Sequence, residues 1–224
     1  IIENKPGAMG SIGLGAVAQS PADGHTLLFS NLAPLAINPH LMPQAASVKA
    51  FSPVSAFAYI PYVLASSRHN AFPALVGREV AFGNNGNGSL AHIMAVMVAR
   101  SLKLRASHIP YRGAAPMLND MISNQFDAAI ISAVSSESSR AAGQLNYLAV
   151  TSPLPSVPNV PTFEQIGIGD AAFNDWYGLV APAGTPASII SQLNAVLERA
   201  VQSPDVQQRI KSLGALPQLS SPEQ

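Results

Sequence analysis

Cysteine is absent from this 224-residue chain, which excludes disulfides, thiolate catalysis and cysteine-based zinc sites together. The absence permits an oxidising compartment without requiring one. Charge is scarce as well: Asp, Glu, Lys and Arg make up 11%, against a usual share of about 25%. Basic and acidic residues balance at twelve each, so no electrostatic footprint points to nucleic acid or to an anionic membrane surface. The surface must be covered by Ser, Asn, Gln and small apolar side chains, which leaves recognition to neutral hydrogen-bond donors. No apolar run is long. Residues 56–65 are interrupted by Pro61, whereas a bilayer span needs about 20 residues. There is also no initiator Met ahead of Ile1-Ile2-Glu3, so a preceding segment is expected and the lack of an export signal carries little weight.

What is present alternates short apolar runs with helical periodicity. Strands are predicted at 25–30, 62–66, 78–82, 107–109, 127–132, 146–151 and 176–181, with helices at 11–19, 89–102, 114–123 and 135–142. Alternation of this kind points to an α/β chain with parallel sheets flanked by helices, as one domain or two smaller lobes. Towards the C-terminus Thr185 and Pro186 read as a helix start, and Ile189, Ile190, Leu193, Val196, Leu197, Ala200 and Val201 form one apolar stripe. Ser203-Pro204 opens a second helix and Gly214 stops it. Pro153, Pro155, Pro158 and Pro161 mark an extended surface crossing.

The most informative stretch is Glu79-Val80-Ala81-Phe82-Gly83-Asn84-Asn85-Gly86-Asn87-Gly88-Ser89-Leu90-Ala91-His92. A β-type run enters a Gly/Asn turn and leaves through a Ser cap into an amphipathic helix. Free amides at the positive end of a helix suit a carboxylate or phosphate. The N–H groups of this turn are therefore candidate anion ligands. His92, one turn into the helix, either joins the same pocket or packs beneath the loop. A capped turn without a ligand explains the same pattern.

Rival chemistries find less support. Gly13-Leu14-Gly15-Ala16-Val17-Ala18 fits a dinucleotide fingerprint but lies inside a helix. Gly86-Asn87-Gly88-Ser89-Leu90-Ala91 fits in better context, yet Ser107-His108-Ile109-Pro110-Tyr111-Arg112 lacks the acid that a ribose requires. The five histidines form no HxH or HExxH pair, so no metal site is expected. No GxSxG elbow exists, and Asp127, at the head of an apolar run, has no paired carboxylate nearby in sequence. It reads as a strand cap or a cleft-edge acid. No catalytic residue and no cofactor are expected.

Several blocks in order resemble one family. They are Glu3-Asn4-Lys5-Pro6-Gly7-Ala8 with Gly10-Ser11-Ile12-Gly13, Pro21-Ala22-Asp23-Gly24-His25-Thr26-Leu27-Leu28, and Ala36-Ile37-Asn38-Pro39. The Gly/Asn loop with His92, Ile109-Pro110-Tyr111-Arg112-Gly113 and Leu148-Ala149-Val150-Thr151 follow. Trp176-Tyr177-Gly178-Leu179 and Ala181-Pro182-Ala183-Gly184-Thr185-Pro186 close the set. Together they resemble the Bug-type solute receptors of tripartite tricarboxylate transporters across essentially the whole chain.

The resemblance implies a two-lobed type II periplasmic-binding fold, each lobe a mostly parallel sheet flanked by helices. Lobe 1 would comprise 1–58 and 175–224, lacking its first strand and last helix, and lobe 2 would comprise 59–174. It also implies a periplasmic monomer, without membrane insertion, that closes on a small organic carboxylate and hands it to membrane transporter subunits. A carboxylate sensor or, more remotely, a nucleotide-dependent enzyme are the alternatives. Asn84, Gly86, Asn87, Gly88 and Ser89 would bind the ligand carboxylate, Ser30 and Asn31 would line the lobe opposite the loop, and Asp127 would meet the far end of the ligand. Departures from the family pattern fall at Ala8-Met9-Gly10, Asn31-Leu32-Ala33-Pro34, Ile131-Ser132-Ala133 and 144–147. They bear on which solute fits rather than on its class.

Overall fold

The structure is a computed structural model that describes residues 1–41 and 46–223. In chain order the strands are β1 (Leu28–Asn31), β2 (Phe51–Ile60), β3 (Tyr62–Ser66), β4 (Glu79–Asn84), β5 (Arg105–Pro110), β6 (Ala128–Ser132), β7 (Asn146–Val150), β8 (Asp175–Pro182) and β9 (Leu216–Pro217). The α-helices are α1 (Ser11–Ala18), α2 (Asn38–Leu41), α3 (Leu90–Ser101), α4 (Ala114–Ile122), α5 (Ala133–Ala141), α6 (Ala187–Gln202) and α7 (Pro204–Ser212). The chain divides into two units. One is Ile1–Tyr59 with Asp175–Ser212 and Leu216–Gln224; the other is Ile60–Asn174 with Leu213–Ala215.

The first unit is built on a four-stranded sheet ordered β1-β8-β2-β9. Successive residues of a strand face opposite sides, and β8 shows it. Val180 joins Leu14, Val17, Leu35 and Phe51 under α1. Its neighbour Ala181 joins Val54 and Ile190 of α6 on the other face. Each of the larger side chains, fully buried, stabilises by about 1.5–3 kcal/mol. The parallel expectation fails here, because β1 pairs antiparallel with β8 and β2 antiparallel with β9. A whole unit of chain separates β1 from β8, so no βαβ crossover obliges them to align. The long strand β2 escaped the sequence reading because Pro53 sits inside it. Proline is tolerated there since β9 pairs only with Ala58 and Tyr59, leaving the Pro53 end an edge on that side. Residue Thr185, expected to cap α6, instead donates its hydroxyl to the Pro182 carbonyl at 2.8 Å, and Pro186 holds the cap position.

The second unit carries a five-stranded sheet ordered β5-β4-β6-β3-β7. β4 runs parallel to both β5 and β6, whereas β3 is antiparallel to β6 and β7. Four strands therefore share one direction and β3 alone opposes them. The mostly parallel expectation holds in this unit. Val63, Ala65, Met117, Met121, Phe126, Ala129 and Ile131 pack into one core beneath α4 and α5. Gly83 of β4 admits the Phe126 ring at very short range: a Cβ built there would lie 2.4 Å from Phe126 Cζ.

Candidate functional site

Because β4, β5, β6 and β7 point the same way, Asn84, Pro110, Ser132 and Thr151 lie along one edge of the second sheet. The N-termini of α3, α4 and α5 follow β4, β5 and β6 directly, so all three lie along the same edge. The connection from β4 leads to β5 on one side, and that from β6 leads past β3 to β7 on the other. The carboxyl ends of β4 and β6 thus flank a topological switch point, where open α/β sheets hold their ligands.

The loop after β4 is fixed by its own polar groups. Asn84 is fully buried and its Oδ1 accepts from Gly86 N–H at 3.0 Å. Gly88 N–H donates to His92 Nδ1 at 3.0 Å, and Ser89 N–H to the Gly86 carbonyl at 3.1 Å. Ser89 caps α3 by accepting from His92 N–H at 3.2 Å. Gly86 and Gly88 have φ of 126° and 78°, a region that disfavours any Cβ. The expectation of a wholly open run of amides is therefore corrected: those of Gly86, Gly88 and Ser89 are engaged inside the loop. Among the described residues the amides of Asn85, Asn87, Leu90 and Ala91 have no partner. One side-chain donor joins them, since Asn84 Nδ2 is buried without an acceptor. Leaving such a donor unmatched costs about 1–3 kcal/mol.

His92 holds the loop from beneath. Its Nδ1 is the acceptor for the Gly88 N–H. Its ring meets His108 edge-on at 5.0 Å, and His108 stacks on Phe82 at 6.0 Å. Burial, then the charge of His92, holds His108 below the usual histidine value.

Asp127 does not join this group. It precedes β6, at the opposite edge of the sheet, and both carboxylate oxygens are taken. Oδ2 accepts from Ala81 N–H at 2.8 Å and Oδ1 from Arg68 Nη1 at 2.9 Å. Arg68 Nη2 also donates to the Asn124 carbonyl, and Ser66 Oγ to the Asp127 carbonyl at 2.6 Å. The acid is a tie between strands, so its expected contact with a ligand is withdrawn. Ser30 and Asn31 belong to the first unit. Ser30 is buried opposite Gly178. Asn31 Nδ2 donates to Asp175 Oδ2 at 2.8 Å, while Leu32 N–H and Trp176 N–H reach Asp175 Oδ1 at 3.1 and 2.8 Å.

Sequence reasoning passed over Asp175, the buried acid that sets the turn after β1. It also passed over Ser132, whose Oγ accepts from Ser135 N–H at 3.2 Å to cap α5. The Ser132-x-x-Ser135 spacing after an apolar run was a visible capping signal; only strand pairing brings it to the same edge of the sheet as Asn84. Among the described residues no group of three His, Asp or Glu side chains is placed to hold a metal ion. No described helix is long and apolar enough to cross a membrane.

Residues 1–222 match the family described as "Tripartite tricarboxylate transporter family receptor". A UPF0065 protein from the tcbD–tcbE intergenic region of Pseudomonas sp. (strain P51) is 33% identical over 237 residues, covering 100% of this chain and 70% of that protein. Protein BugT of Bordetella pertussis is 32% identical, covering 100% and 73%. Rpa4515 of R. palustris, solved with adipate, superposes with a TM-score of 0.88 at 26% identity, covering 100% and 79%. MatC of Rhodopseudomonas palustris with bound malate gives 0.77 at 27%, covering 94% and 76%. The periplasmic binding protein BugD gives 0.78 at 26%, covering 100% and 79%.

Proposed function

The chain belongs to the tripartite tricarboxylate transporter receptor family, and from that premise we propose that it captures a small organic carboxylate in the periplasm for membrane transporter subunits. The family is one of solute-binding receptors rather than enzymes, and its fold is the type II periplasmic-binding fold. The observation that carries the reading is the buried, unmatched Asn84 Nδ2 in the same β4–α3 junction as the open amides of Leu90 and Ala91. A carboxylate accepts from such donors at about 1.5–3 kcal/mol per charge-assisted bond, without a cation in contact. Adipate and malate in the solved relatives support the solute class. In this reading Asn84, Asn85, Asn87, Leu90 and Ala91 hold the carboxylate. Gly86, Gly88, Ser89 and His92 shape the loop, and Ser30 and Asn31 are the solute contacts proposed for the first unit.

Calorimetric titration with adipate, malate, succinate and citrate tests the proposal. Saturable binding of at least one, competed by the others, is expected. Silence with every carboxylate, together with a nucleotide retained on the natively exported protein, would overturn it.

A further inference from the structure

The second unit separates its charges by edge. Arg68, Arg78, Lys103 and Arg105 lie at the amino ends of its parallel strands, and Arg100 and Arg140 sit in the last turns of α3 and α5. Arg112 alone of the unit's Lys and Arg residues lies at the carboxyl edge, in the turn between β5 and α4. The turns that make this edge, residues 84–89, 110–113, 132–134 and 151–152, contain no Asp or Glu.

The backbone around Arg112 is tied to the candidate site. Tyr111 N–H donates to the Asn84 carbonyl at 2.9 Å, and the Tyr111 carbonyl lies 4.0 Å from where a Gly86 Cβ would stand. Tyr111 is held in turn by its hydroxyl, which donates to Asp120 Oδ2 at 2.8 Å. Arg68 and Arg140 are paired with Asp127 and Glu137. Arg112 is exposed and, among the described residues, has no hydrogen-bond or ion-pair partner. Among the unit's unpaired cations, Arg112 is the one whose backbone turn is joined to the β4–α3 loop, on an edge without acids.

Resting on the carboxylate reading above, the geometry points to Arg112 as the residue that binds a second anionic group of the solute. The loop amides hold one carboxylate and the guanidinium fork meets another, so Arg112 selects dicarboxylates over monocarboxylates. A planar fork suits this task better than an ammonium, because it can meet both oxygens at once.

Matched acids of equal carbon number test it: adipate against hexanoate, and succinate against butyrate, titrated into the full chain and its Arg112→Gln variant. Dicarboxylate affinity is expected to fall by about 10- to 100-fold in Arg112→Gln, with monocarboxylate affinity within about twofold. Arg112→Lys should recover part of the loss, and the salt dependence of dicarboxylate binding should weaken in Arg112→Gln. An unchanged thermal midpoint shows that the variant is folded. Equal dicarboxylate affinity in the wild type and Arg112→Gln overturns the role of Arg112 and leaves the receptor reading standing, as does an equal loss for both acid series. A wild-type chain that binds neither series overturns both.

Discussion

The two edges of the second sheet share strands yet are finished in opposite ways. At the amino edge the acid before β6 and the serines that end β3 have found mates: Asp127 with Arg68 and the Ala81 amide, Ser66 with the Asp127 carbonyl, Ser67 Oγ with the Met121 carbonyl. At the carboxyl edge a buried carboxamide donor lacks an acceptor and helix amides stand open. Satisfied groups stabilise a fold, whereas unsatisfied ones lower its stability and are available to something else. One edge closes the unit, and the other is where we propose that a solute binds.

Substitutions can break this contrast. The largest effect is expected from Asn84→Leu, which removes the unmatched donor and the acceptor for Gly86. Solute affinity should fall by about 100-fold in calorimetry. Undiminished affinity would move the solute away from this edge. Asp127→Ala should do the reverse. Denaturant unfolding should show a loss of about 1–3 kcal/mol, from the unpaired Ala81 amide and the lost partner of Arg68, with solute affinity unchanged. An affinity loss larger than the stability loss would return Asp127 to the site.

A smaller effect concerns the anchoring of α5. Arg140 donates to both Glu137 oxygens, at 2.9 and 2.6 Å, and the Tyr147 hydroxyl reaches Glu137 at 3.3 Å and Ser136 at 2.8 Å. The Arg140 hydrogen bond holds the Glu137 carboxyl below its ordinary value of 4.5, against an opposing effect of burial. A carboxyl depressed in the fold stabilises it fully above its unfolded value and loses that contribution as pH falls through the folded one. Stability should therefore decline below pH 4.5 more steeply in the wild type than in Glu137→Gln. Parallel acid limbs would show that the pair contributes nothing.

Much of the second unit was legible in the sequence. The run at 62–66 is β3 to the residue, and the Ser89 cap and the turn after β4 lie where the Gly/Asn stretch put them. Local signals served well there because turns and caps are short-range chemistry. Pairing partners were not legible. The antiparallel ladder between Leu28–Asn31 and β8, the strand through Pro53, and the capture of Asp127 by Arg68 all depend on segments distant in sequence. The loop could be named but not the state of its amides. That state depends on which way the Asn84 and His92 side chains turn.

The Phe126 ring lying against Gly83 sets a rule for retargeting the receptor. A mutagenesis library that treats positions 83, 86 and 88 as equivalent glycines would fill with unfolded clones, since any side chain at 83 must push an aromatic ring out of the core. Codons 85 and 87 encode exposed asparagines and can be randomised freely, so the search for new specificities belongs there.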